Sequence, residues 1–168
     1  MTRVPHPPAD PEVPSSTPSA PRPPAVARIR DLCNEAAAHA ATGAVATGLV
    51  LAQEAWDLAR QELPGNHYAL AHVLVAIGWL RLELGETAAA KEGFAAATVA
   101  ARVAAASDPD QALVALLQSE RFHRLLGEAA AADGLRQEII ALTAEVWGHD
   151  HPRYFAALSS LRAERPGD

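Results

Sequence analysis

Cysteine, methionine and lysine each occur once in this chain of 168 residues, and aromatic side chains make up only 5% of it. With Cys33 alone, no intramolecular disulfide can form, and nothing points to an oxidising compartment. No stretch approaches the roughly 18 uninterrupted apolar residues of a membrane-spanning helix. The opening MTRVPHPPAD has no apolar core of a signal peptide, so the expectation is a soluble, cytoplasmic protein with no membrane partner. The net charge is −6 and the pI near 5.6, whereas a general phosphate-backbone binder needs clustered Lys and Arg, so no nucleic acid is expected as partner. Of the basic residues only Lys91 is lysine, a bias that GC-rich coding produces as readily as selection for arginine. β-Branched residues are too scattered to supply strands.

Alanine and leucine are abundant, and they favour close-packed helices. Proline is concentrated at one end, with nine of thirteen in residues 1–24, a segment too poor in large apolar residues to offset the entropy of ordering. This segment reads as a disordered, polyproline II-biased tail. Pro21-Arg22-Pro23-Pro24 is either plain linker or a ligand for a proline-recognising domain.

Beyond the tail the chain repeats itself. Leu32, Leu74, Leu116 and Leu158 lie 42 residues apart, as do Gly43, Gly85 and Gly127, and as do the capping residues Asn66, Asp108 and Asp150. Three units follow, 25–66, 67–108 and 109–150, and then a shortened fourth, 151–168. In each unit the glycine stands where a left-handed helix C-cap belongs, between two apolar helical segments, so each unit is a helical hairpin. Asp108-Pro109 and Asp150-His151-Pro152 mark helix starts. The first (A) helices are placed near 25–42, 67–84, 109–126 and 151–163, and the second (B) helices near 45–62, 87–105 and 129–147. One hairpin cannot bury its own apolar face, so the units must stack, with 151–168 as cap and tail. In that cap Tyr154, Phe155 and Leu158 are expected to cover the preceding hairpin, while Arg153, Arg162, Glu164 and Arg165 meet water. The four leucines are expected at equivalent buried positions. The fold class is therefore all-α, an α-α superhelix of three hairpins plus a capping helix.

With hairpins, period and turns in place, residues 25–163 resemble tetratricopeptide repeats, in particular the 42-residue kind of kinesin light chains, which open near His-Pro-Asp and close on Leu-Gly-x-Asp. Trp147-Gly148-His149-Asp150-His151-Pro152 matches that junction best, and Leu63-Pro64-Gly65-Asn66-His67 and Ala106-Ser107-Asp108-Pro109-Asp110 match it more loosely. The family's small-residue positions correspond to Gly78, Gly48, Ala90 and Ala132, with Ala55 and Ala97 in a further column. The third repeat departs from the pattern: Glu120 falls where Gly78 falls, Arg136 where Phe94 falls, and Ile139 in the Ala55 column. Arg162 and Ala52 are further departures.

The resemblance implies that the A helices line a concave groove and that the groove positions are Arg30, Cys33, Asn34 and Ala37, then His72, Val75, Ala76, Trp79 and Leu82 with Glu83 near the edge, then Val114, Leu117, Gln118, Arg121 and Arg124. One large aromatic beside amides and arginines has the composition of a binding hot spot. Three A helices and a cap at about 10 Å each make a trough of roughly 30 Å, room for about nine residues of extended chain. The arginines favour acidic groups on a partner and Trp79 an apolar anchor. The function expected is a protein interaction module, an adaptor or regulatory subunit binding a partner peptide or helix.

Two alternatives stand beside it: a small-molecule sensor or helper enzyme using the same groove, and a homodimer through the first hairpin. A plainer reading is that the arginines are simply a solvated face. Asn34 alone does not make a carboxylate clamp for a partner's C-terminus. No catalytic, cofactor or metal site is expected. Cys33 has no evident histidine base, and the glycines form no phosphate loop. His39 and His123, two repeats apart, should be about 20 Å from each other, and His149 with His151 makes two ligands without a third.

Overall fold

A computed structural model describes residues 24–65 and 67–163, without the side chains of Ser160, Arg162 and Ala163. The proline-rich tail before Pro24, the cap expected at Asn66, the Arg162 side chain, and Glu164 and Arg165 lie outside what is described. Seven helices follow one another: α1 (Ala25–Ala41), α2 (Val45–Glu62), α3 (His67–Glu83), α4 (Thr87–Ala104), α5 (Pro109–Leu125), α6 (Ala129–Trp147) and α7 (Pro152–Ala163). No strand occurs among the described residues.

The hairpin turns are one motif used three times. Gly43, Gly85 and Gly127 have φ of 84°, 78° and 71°, the left-handed region that other residues enter only with strain. At each, the residue after the glycine donates its N–H back to the helix (Ala44 to His39 O, Glu86 to Arg81 O, Glu128 to His123 O, each 2.9 Å), while the glycine N–H bonds the carbonyl three residues earlier. This is the Schellman arrangement, and it satisfies carbonyls that a helix end leaves open.

Helix starts are capped less uniformly. Asp108 Oδ1 accepts from Gln111 N at 3.2 Å with Pro109 in the first turn, as the sequence indicates. At α7 the same role passes from Asp150 to its neighbour: Arg153 N donates to Nδ1 of His151 at 3.2 Å, because Pro152 stands one place later than the repeat would put it.

The helices pack in chain order, each against the next. In addition α1 touches α3 and α3 touches α5, whereas α2, α4 and α6 do not touch one another. An array in which only one set of helices meets must curve with that set inside. The A helices therefore form the concave side of an all-α superhelix.

The buried columns are mostly alanine. Gly48, Ala90 and Ala132, then Ala55, Ala97 and Ile139, then Ala59, Ala101 and Thr143 repeat every 42 residues and are all buried. Of the leucine column only Leu116 is buried, at 1% exposure; Leu32, Leu74 and Leu158 are half-buried. The leucines are thus not equivalent: the small columns are buried throughout, and the leucines are buried at one position of four. In α7 the covering residues are Ala157 and Leu161, while Phe155 is 54% exposed rather than packed on the preceding hairpin.

The two ends of the array differ. Val73, Ala115 and Ala157 are buried against the preceding hairpin, and so are Ile77, Ser119 and Leu161, and Leu80 and Phe122. The matching residues of α1, the first of the described helices, are Asp31, Glu35 and Ala38, all exposed.

Candidate functional site on the concave face

Trp79 lies on the concave side of α3, one turn before its end, and it is held from several directions. Its Nε1 donates to Gln118 Oε1 on α5 at 3.0 Å. Phe94 meets the ring edge-on at 5.1 Å between centroids, and Phe122 does so at 6.3 Å. Phe94 and Phe122 stack on each other at 4.2 Å and are fully buried. The indole has no freedom to rotate without breaking these contacts, and so offers a fixed aromatic surface. Over it lies the guanidinium of Arg121, 5.7 Å from the ring centroid, from an exposed position on α5.

Phe94 can stand where it does because of Gly78. A Cβ there would come within 2.8 Å of the Phe94 ring, so any larger residue on α3 would push the aromatic cluster apart.

Toward the start of α3 the concave face carries His72, with Tyr68 at 6.2 Å between ring centroids. These two line a shallow crevice with Val75, Gln111, Val114 and Ala115. His72 is exposed, yet its surroundings desolvate the ring enough to lower its pKa. Tyr68 is pushed the other way: burial raises its pKa, Asp108 and Cys33 add to the rise, and Arg30 opposes it across the gap from α1.

On the other side of Trp79, where α1 meets α3, a cleft of about 340 Å³ opens. Cys33, Ala36, Ala37, Ala40 and Ala41 line it from α1, and Ala76, Trp79, Leu80 and Glu83 from α3. Its origin is a difference between repeats: Ala37 and Ala41 occupy the positions that Trp79 and Glu83 hold 42 residues later. Burial pushes the Cys33 thiol up to about 11, so thiolate is scarce at neutral pH and the sulfur is a poor nucleophile.

The expected groove residues are therefore partly gathered. Trp79, Gln118 and Arg121 are in direct contact, His72 and Val75 share the neighbouring crevice, and Leu117 is half-buried beneath. Arg30, on α1, bears on this group as a charge that lowers the Tyr68 pKa. Asn34 is exposed, with no side-chain hydrogen bond among the described residues. Arg124 is half-buried, with its Nε 3.6 Å from the carboxylate of buried Glu120.

Sequence reasoning named Cys33, Ala37, Ala76 and Glu83 of the cleft but missed Tyr68, Gln111 and the rest of the alanine wall, Ala36, Ala40 and Ala41. The wall did leave a signal in the unbroken small residues at 33, 36, 37, 40 and 41, one face of a helix. Among the described residues no three His, Cys, Asp or Glu side chains gather as a metal cluster, and no helix is long and apolar enough to cross a membrane. Neither a protein-family model nor a curated protein matches the sequence.

Proposed function

We propose that the chain is a tetratricopeptide-like interaction module whose concave face binds an extended or helical segment of another protein. The observation that carries this reading is the immobilised Trp79 with Arg121 exposed across its ring. An aromatic fixed before any partner arrives loses little entropy on binding, and an exposed guanidinium beside it accepts a carboxylate or phosphate in a defined orientation. The partner segment carries an apolar anchor and an acidic group, and the setting is cytoplasmic, in keeping with a single reduced, buried Cys33. The homodimer alternative loses support from the exposed Asp31 and Glu35 on the outer face of α1, which is the surface such a dimer would bury.

The test is a comparison of co-purified partners from cell extract. Arg121→Glu reverses a charge at an exposed position, so the fold is kept and the partner is lost. Val50→Glu, at a 62% exposed position on α2, is the matching control on the convex side and leaves binding unchanged. A partner indifferent to Arg121→Glu and mapped to the B helices or the proline-rich tail would sink the proposal. Trp79→Ala is a poor single test, because the indole also supports Phe94 and Phe122.

One observation favours the small-molecule alternative, namely the α1–α3 cleft, whose size is at the low end of the roughly 300–1,000 Å³ of ligand pockets.

A further inference from the structure

The α1–α3 cleft has a chemical polarity of its own. Its walls are apolar, made of alanines, Leu80 and the indole of Trp79, and the only charged lining residue is Glu83. Glu83 is exposed and has no ion pair or hydrogen bond among the described residues. It is the last residue of α3, and Ala40 and Ala41, also in the lining, are the last two of α1. Two helix C-termini thus end at this side of the cleft, with the negative ends of their dipoles toward it, although the turn N–H groups bond several of their carbonyls. The carboxylate adds to that field rather than neutralising it. Of the cations nearest Glu83 in the sequence, Lys91 pairs with Glu128 and Arg81 donates to the neutral carbonyl of Ala89, so neither is bonded to Glu83. An apolar slot with an unpaired carboxylate at its rim is complementary to an apolar group that has a cation beside it.

Resting on the groove reading above, we infer that the cleft is the specificity pocket of the interaction surface. It seats one bulky apolar side chain of the partner segment, Leu, Met or Phe, with a Lys or Arg of the same segment at Glu83. Arg121, on the α5 side of Trp79, takes the acidic residue. The bound segment is therefore charge-polarised along the groove, basic at the α1–α3 end and acidic toward α5. This fixes the direction in which it lies.

The experiment uses the full chain and a displayed library of random peptides about nine residues long, the length that the trough accommodates. Enriched peptides should pair a bulky apolar residue with Lys or Arg within one turn's reach, and carry Asp or Glu farther along. Ala37→Leu, at an exposed position of α1, fills the cleft and should lower the affinity of an enriched peptide by about tenfold or more, as loss of an anchor pocket does. Glu83→Gln should lower it roughly two- to fivefold, the worth of an exposed ion pair, and the loss should shrink in high salt. Repeating the selection on Glu83→Lys should exchange the enriched basic residue for an acidic one. Peptides that lack a basic residue, or that bind Glu83→Lys and Ala37→Leu as well as wild type, overturn the pocket assignment; if they are still lost in Arg121→Glu, the groove reading survives. Peptides indifferent to Arg121→Glu as well, or a selection that enriches none, overturn both.

Discussion

Arg136 Nη2 on α6 donates to Glu120 Oε1 on α5 at 2.8 Å, with Glu120 only 2% exposed. One repeat earlier the same two positions hold Phe94 and Gly78, in the tight contact that supports Trp79. One repeat before that they hold Ala52 and Ala36, both buried. The inter-helix gap is filled in three ways: two small side chains, a ring against a glycine, and an ion pair. Two of the third repeat's departures, Glu120 and Arg136, are therefore a matched exchange. Arg136 reaches Asp133 as well, at 3.1 Å, and Arg124 approaches the other oxygen of Glu120.

Removing one member strands the other in a dry site. Arg136→Ala should destabilise the chain by about 3–5 kcal/mol, because the Glu120 carboxylate loses its closest cation. Installing the second repeat's solution, Glu120→Gly with Arg136→Phe, should cost less than Arg136→Ala alone even though glycine inside a helix loses about 1 kcal/mol. Urea unfolding of the two variants decides it. A double variant as damaged as the single one would mean that the pair is not exchangeable with the ring.

A sharper contrast lies in the leucine column. Leu116 is buried and belongs to the core shared by α3, α4, α5, α6 and α7, so Leu116→Ala should cost about 2–5 kcal/mol. Leu74 is half-buried, and Leu74→Ala should fall clearly below that. Equal losses in thermal unfolding would restore the equivalence that the 42-residue spacing suggests.

That contrast also shows what was legible in the sequence. The glycine turns are set by backbone geometry that only a few residues tolerate, so their period located every helix to within about one residue. Leucines stand out in a pattern, yet the columns buried throughout are mostly alanine, which carries no contrast in an alanine-rich chain. At the groove, Trp79, Gln118 and Arg121 were readable because each repeats a position on the A helix. That Arg124 lies beside Glu120 was not readable, because the burial of Glu120 goes with Arg136 on another helix. Only three-dimensional packing joins those residues.

Glu128, at the start of α6, gives a pH dependence with a definite sign. A hydrogen bond from Lys91, then one with His123 Nδ1 at 2.6 Å, holds its carboxyl below the ordinary carboxylate value. A depressed folded-state pKa contributes stability above the unfolded value, about 4.3 for Glu, and loses it as pH falls through the folded value. Melting temperatures of wild type and Glu128→Gln should therefore be separated from neutral pH down to about pH 5 and converge on further acidification. A gap that widens in acid would reverse the assignment.

The polar outer face of α1 makes the last prediction. Asp31 and Glu35 occupy the columns that carry Val73 and Ile77 in α3, where those side chains are 0% and 6% exposed against the preceding hairpin. No described helix packs on this face of α1, so an apolar pair here would leave a sticky surface, and the two carboxylates keep it in water. Asp31→Val with Glu35→Ile should restore the stacking surface without touching the interior, since both positions are exposed. The altered chain should self-associate in a concentration-dependent way in sedimentation velocity, under conditions where the wild type shows no such dependence. At the opposite end the task falls to α7, whose Ala157 and Leu161 join the core formed by Leu135 and Ile139. Shortening the chain before Pro152 should expose that core and lower solubility, while the charged N-terminal face remains benign. If the Asp31→Val, Glu35→Ile chain behaves as the wild type does, the two carboxylates are not what keeps this end of the solenoid from stacking.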